Sequence, residues 1–172
     1  MATPQLRTSI VVGNPKPGSR TLTAAVTVAD LLEPELGSEG RDVIDVATYG
    51  EALLDWGSAE VAAATETVAA SRLIIVASPT FKATYTGLLK VFLDRYGNDA
   101  LAGTVAVPLM TGAGLHHALA VEVHLRPLLV ELGASVPTRG LYLPEASFDD
   151  VAGAAGPWLA TAIPRLRRAL AD

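Results

Sequence analysis

Short runs of Val, Ile and Leu alternate with segments of helical periodicity along this chain, and that alternation restricts the fold more than any other feature. SIVVGN (Ser9 to Asn14) has the composition of a buried strand, and Thr21 to Leu36 repeats apolar residues at Leu22, Val26, Ala29 and Leu32 with a helical period. Gly37 and Gly40 end that helix before RDVIDV (Arg41 to Val46), a second strand. Ser58 is placed to cap a helix over Ala59 to Ala70. There follow strand Leu73 to Ala77, helix Thr86 to Tyr96, strand Thr104 to Met110, helix His117 to Leu132, strand Ser135 to Leu143 and helix Pro157 to Leu170, with Pro157 in the first turn. Strands this continuously apolar must be covered on both faces, and β-then-α units put helices there, so the expectation is a three-layer α/β domain with a parallel sheet.

Pro137 falls inside the expected last strand and cannot donate to a central ladder, which places that strand at a sheet edge. An edge position for strand five agrees with the flavodoxin-like order 2-1-3-4-5, a five-stranded sheet with helices on both faces. At 172 residues, half of them hydrophobic, the chain has the size of a single domain spanning residues 1 to 172. The irregular stretch from Ala47 to Gly57 carries Tyr49, Leu53, Leu54 and Trp56, for which core packing or a subunit contact is the simplest use.

Composition narrows the chemistry. No run approaches the roughly 18 apolar residues that span a bilayer, and Met1 to Arg7 lacks the apolar core of a signal peptide, so the cytoplasm is the expected compartment. With no cysteine, thiol catalysis and thiolate metal sites are excluded, and redox chemistry would need a bound cofactor. A formal charge of -5 argues against nucleic acid; Arg165, Arg167 and Arg168 fit a solvated last helical turn.

The loop GNPKPGSRT (Gly13 to Thr21) joins the first strand to the first helix. Amides at a helix start, the Ser19 and Thr21 hydroxyls and the Arg20 guanidinium can together hold a phosphate dianion. Gly13 and Gly18 have the spacing of a nucleotide-triphosphate loop, but Ser19-Arg20 stands in place of Lys-Ser/Thr and Pro15 and Pro17 remove two donors, which argues against ATP or GTP hydrolysis. The alternative use of Ser19 is a plain helix cap, with Arg20 solvated.

Two further loops leave the same end of the sheet. After Ser78, Pro79, Thr80, Phe81 and Lys82 precede Thr84 and Tyr85, a polar, aromatic-bearing loop where an open α/β sheet binds ligands. A redox flavin is the first candidate, since its ring needs apolar contact on its faces and positive potential at its N1/O2 edge, which Lys82 or nearby amides could supply. The alternative is that Phe81 and Tyr85 pack on the adjacent helix and Lys82 faces water. The third loop, MTGAGLHH, brings Thr111, Gly112, Ala113 and Gly114, whose glycines let backbone approach a ligand closely. His116 and His117 are adjacent, so their side chains are expected to diverge, and with no third His in reach a metal site is not expected there. His124 is read as a packing or interface residue.

With GNPKPGSRT, LLDWGS, VASPTFKATYTGLLKVFLD, and TGAG followed by LAVEVHLRPLLVELGA in hand, the chain resembles the NADPH-dependent FMN reductase family, in particular the branch that supplies reduced flavin to two-component monooxygenases. The resemblance implies FMN as acceptor, NADPH or NADH as donor, a homodimer or tetramer, and a partner monooxygenase. It places phosphate binding on Ser19, Arg20 and Thr21, and flavin-ring contacts on Pro79, Thr80, Phe81, Lys82, Tyr85, Thr111, Gly112, Ala113 and Gly114. It assigns no catalytic side chain, because hydride passes between two cofactors. Phe81 stands where many members have Tyr, which keeps the apolar face and removes a hydroxyl. The other functions open to such a chain are an FMN-containing quinone, azo or chromate reductase and a non-catalytic FMN electron carrier. An oligomer also follows from Leu88, Leu89, Val91, Phe92 and Leu93, which cover more than one face of their helix; Leu89 or Phe92 changed to a charged residue would then give monomers. Pro127 is expected to kink its helix or end its first segment.

Overall fold

In the computed structural model, residues 6–171 are described. Five parallel strands, β1 (Arg7–Val12), β2 (Gly40–Asp45), β3 (Leu73–Pro79), β4 (Val105–Gly112) and β5 (Leu141–Pro144), form one sheet in the order β2-β1-β3-β4-β5. The helices are α1 (Arg20–Leu36), α2 (Ala59–Ala69), α3 (Gly87–Leu93), α4 (Arg126–Glu131) and α5 (Val151–Ala171). This is the flavodoxin-like order, with β5 at the edge.

Residue alternation along the strands divides the core in two. Ile10, Val12, Ile75, Ala77, Val107 and Leu109 face α1 and α5, while Val11, Ile74, Val76, Ala106 and Met110 face α2, α3 and α4. Every residue of β3 and β4 is buried, as strands covered on both faces require. Hydroxyl caps start the helices: Ser19 Oγ accepts from the Leu22 amide at 3.2 Å, Ser58 Oγ from Val61 at 3.4 Å and Thr86 Oγ1 from Leu89 at 3.1 Å.

Most expected boundaries lie within two residues of those observed, but the last third of the chain departs further. The stretch expected as strand from Ser135 is strand only from Leu141; before it, Ser135 makes a single bridge to Val105. Pro137 therefore precedes β5, and the Arg126 guanidinium takes the Val136 and Thr138 carbonyls that a ladder would have used. Helix α5 starts at Val151, not Pro157, because Asp150 caps it, accepting from the Gly153 amide at 2.8 Å; Pro157 and Pro164 both lie inside the helix. The helix expected from His117 is broken into a 3-10 turn (Leu115–His117), a π-helical turn (Val121–Leu125) and α4. Pro127 sits just after the π turn, where its missing N–H leaves the regular ladder incomplete.

Helix α3 ends at Leu93, three residues short of expectation. Leu89 and Phe92 are wholly buried within the domain, so a charge there would break the core, where each such side chain contributes about 1.5–3 kcal/mol, and would not merely separate subunits. In the Ala47 to Gly57 stretch Leu53 is buried, but Leu54 and Trp56 are 72% and 71% exposed and take no part in the core. Arg95 lies over the Trp56 ring, 5.4 Å from its centroid.

Candidate functional site

The carboxyl ends of the central strands lie level, with Val12 paired to Ala77, Pro79 to Thr111 and Gly112 to Pro144. Four loops therefore leave the sheet together. Between them lies a cleft of about 300 Å³, lined on one wall by Asn14, Lys16, Ser19, Arg20 and Thr21, on its floor by Pro79, Thr80 and Phe81, and further by Thr111, Gly112, Ala113, Glu145 and Phe148.

The first loop is held by its own side chains. Asn14 Oδ1 accepts from the Lys16 amide at 2.9 Å, and Asn14 Nδ2 donates to Thr21 Oγ1 at 3.1 Å. Asp45, at the end of β2, accepts from the Gly18 amide at 2.8 Å. The Ser19 hydroxyl caps α1, as the plainer reading has it, yet it only accepts in that bond and its proton is still free to be donated. The amides of Arg20 and Thr21 occupy the first positions of α1, where a helix has no carbonyl to offer them. Across the cleft, Thr21 Oγ1 lies 3.0 Å from Thr111 Oγ1.

The second loop is joined to the third: the Thr80 amide donates to the Thr111 carbonyl at 2.6 Å. Phe81 and Thr84 exchange backbone hydrogen bonds around Lys82 and Ala83, whose φ angles of 51° and 68° are those of a mirror-image hairpin turn. Neither is glycine, so this turn stores local strain beside the cleft. Phe81 is half exposed there. In the third loop a Cβ on Gly112 would come within 2.4 Å of the Tyr142 hydroxyl and 3.3 Å of Thr80, so any side chain there has to displace the Tyr142 ring. Tyr142 also donates to the Gly114 carbonyl at 2.7 Å, tying β5 to this loop.

Residues 6–147 match the profile of the family described as NADPH-dependent FMN reductase. The chain belongs to that family. It is 29% identical over 154 residues to the NADH-dependent FMN reductase SfnF of Pseudomonas putida, covering 87% of this chain and 83% of that one. It is 32% identical to FMN reductase (NADPH) of Pseudomonas aeruginosa, covering 77% of this chain and 73% of the relative. Among solved structures, NADH:FMN oxidoreductase (EMOB) in its apo form superposes with a TM-score of 0.85 at 31% identity, over 95% of this chain and 89% of that one. An oxidoreductase from Corynebacterium diphtheriae follows at 0.76 and 27% identity, over 96% and 93%.

For a member of the FMN reductase family the cleft offers the right groups. Thr80 Oγ1 is buried at the cleft floor near the Tyr142 hydroxyl, without a well-formed hydrogen bond among the described residues, and Gly112 leaves its backbone open to the cleft. Helix start, hydroxyls and guanidinium suit a phosphate at one end, and the Pro79–Phe81 floor suits a flat ring at the other. Of the residues expected from sequence, Ser19, Arg20, Thr21, Pro79, Thr80, Phe81, Thr111, Gly112 and Ala113 meet in this cleft. Lys82, Tyr85 and Gly114 are not part of its lining: Lys82 is at the exposed turn tip, Tyr85 is partly buried against the core, and the Gly114 carbonyl is taken by Tyr142.

Four lining residues were not expected. Asn14 and Lys16 lie within the first loop, and their signal was the Asn two residues before a backbone turn. Glu145 and Phe148 follow β5, whose carboxyl end faces the same crevice as the others, so the sheet rule pointed to them too. His116 and His117 do not diverge; their rings pack with centroids 4.1 Å apart. Among the described residues no cluster of three or more His, Asp or Glu side chains could hold a metal, and no helix is long and apolar enough to cross a membrane.

Proposed function

We propose that this chain is an NAD(P)H-dependent FMN reductase whose cleft binds FMN with its phosphate at the start of α1 and its ring over Pro79, Thr80 and Phe81. The observation that carries this reading is the convergence of the first and third loops, joined by Thr21 and Thr111, within a chain of the FMN reductase family. Bound flavin supplies a two-electron acceptor for hydride from a nicotinamide. The residues do the rest. Arg20, the Ser19 hydroxyl and the first amides of α1 hold the phosphate; Thr80 Oγ1 and the Gly112 to Ala113 backbone face the ring edge; Phe81 gives an apolar contact. Their contribution is position and electrostatics, with no side chain required to move a proton.

The relatives' names divide between NADH and NADPH, and no lining residue supports one donor over the other. A partner monooxygenase receiving reduced FMN, and a cytoplasmic setting, belong to the same proposal. So does a homo-oligomer. Its best support is the exposure of three large apolar side chains close together in the chain, Leu115 in the 3-10 turn, Leu119 in the turn after it and Val123 in the π-helical turn, at 71%, 73% and 57%. Steady-state oxidation of NADH and NADPH with and without added FMN tests the activity; turnover in neither condition overturns it. Turnover with quinone but not with free FMN would move the protein to the quinone reductases.

A further inference from the structure

We propose that Glu145 keeps FMN exchangeable: its carboxylate opposes the flavin phosphate beside Arg20, so that FMN is a passing reactant and not a permanently held group. This rests on the reading that the cleft takes FMN. The geometry is direct. Arg20 Nη2 lies 3.3 Å from Glu145 Oε2, and the same guanidinium sits 4.8 Å above the Phe148 ring. Phe148 thus supports the guanidinium from one side while Glu145 engages its Nη2. Among the described residues no hydrogen bond engages Nη1 or Nε, which leaves their N–H groups for a phosphate.

A phosphate on that edge would have the carboxylate as a near neighbour. Glu145 has little freedom to withdraw its backbone, because the turn that carries it is closed by bonds from Ser147 Oγ to the Pro144 carbonyl at 2.7 Å and from the Phe148 amide to the Glu145 carbonyl at 3.1 Å. The charged side chains lining the cleft are Lys16, Arg20 and Glu145, so the anion offsets one of two cations where a dianion must bind. Both members of the Arg20–Glu145 pair are about half exposed or more, and such a pair is weak enough to be displaced. A site built for permanent retention would gain by a neutral residue at position 145. A second cavity, of about 200 Å³, lies behind the pair and is lined by Arg20, Thr23, Glu145, Phe148 and Asp149. The pair is therefore a partition between two open spaces, reached by solvent from both sides.

The competing role for Glu145 is to orient Arg20 for the phosphate, and the two roles predict opposite signs. Flavin fluorescence titrations of wild type and Glu145→Gln with FMN and with riboflavin separate them. We expect Glu145→Gln to bind FMN about tenfold more tightly, the scale of removing one charge near a dianion in a solvent-screened site. Riboflavin affinity should stay within about twofold, since it carries no phosphate, and the FMN gain should shrink as salt is raised. Glu145→Ala should move FMN affinity in the same direction, which guards against an effect peculiar to the amide. Unchanged or weaker FMN binding in both variants overturns the proposal, as does equal tightening of riboflavin. Those results leave the FMN site standing; failure of the wild type to bind FMN at all would remove both.

Discussion

The hydroxyls of Thr21 and Thr111 lie 3.0 Å apart although 90 residues separate them in the chain. Their contact joins the start of α1 to the end of β4, and Asn14 Nδ2 continues the link at 3.1 Å from Thr21 Oγ1. Thr111 is buried, so Thr111→Val keeps the shape and removes the bond. We expect it to cost about 1 kcal/mol of stability, with a double-mutant coupling to Thr21→Val of about 0.5–1.5 kcal/mol. Urea unfolding of the four proteins measures this, and zero coupling would mean that the two hydroxyls act independently.

Arg20→Ala should weaken FMN binding by about 1–3 kcal/mol, the scale of a charge-assisted hydrogen bond. Riboflavin should lose far less. Fluorescence titration with both flavins checks the assignment, and an unchanged FMN affinity would retire it.

Gly112→Ala drives a methyl to within 2.4 Å of the Tyr142 hydroxyl. A destabilisation of about 1–3 kcal/mol is expected from such overpacking. Tyr142→Phe removes the atom that is struck, so the double variant should recover part of the loss despite losing the bond to Gly114. If melting temperatures add without recovery, the clash is relieved by some other movement.

Burial raises the Tyr96 phenol above its ordinary value near 10, and burial raises Tyr142 in the same direction, partly opposed by the Thr80 hydroxyl and helped by the Glu145 charge. The neutral phenols are the forms the fold accommodates. Their contribution is fully present below the unfolded value near pH 10 and is lost as pH rises toward the higher folded values, where the unfolded chain releases protons first. Stability should therefore fall with increasing pH above about 10, and Tyr96→Phe should flatten that fall. Denaturant melts between pH 8 and 11 would show it; identical slopes in the variant would assign the alkaline loss to other groups.

Strand composition and helical period determined the layer architecture of this protein, and Ser58 announced its helix, with Ser19 open to the same use, because caps and periodicity are local properties; the Thr86 cap emerged only in the structure. The Gly13–Thr21 loop and the Pro79–Phe81 segment were legible as cleft walls for the same reason: a strand, a turn and a helix start lie within a few residues of each other. Tertiary structure alone decided the rest. It moved the start of β5 past Pro137 by spending the preceding carbonyls on Arg126, began α5 at the Asp150 cap with Pro157 inside it, and placed Leu89 and Phe92 in the core and not at a surface. It also brought Glu145 to Arg20 across 125 residues. Such contacts depend on which loops the sheet order sets side by side, and no window of sequence holds both partners.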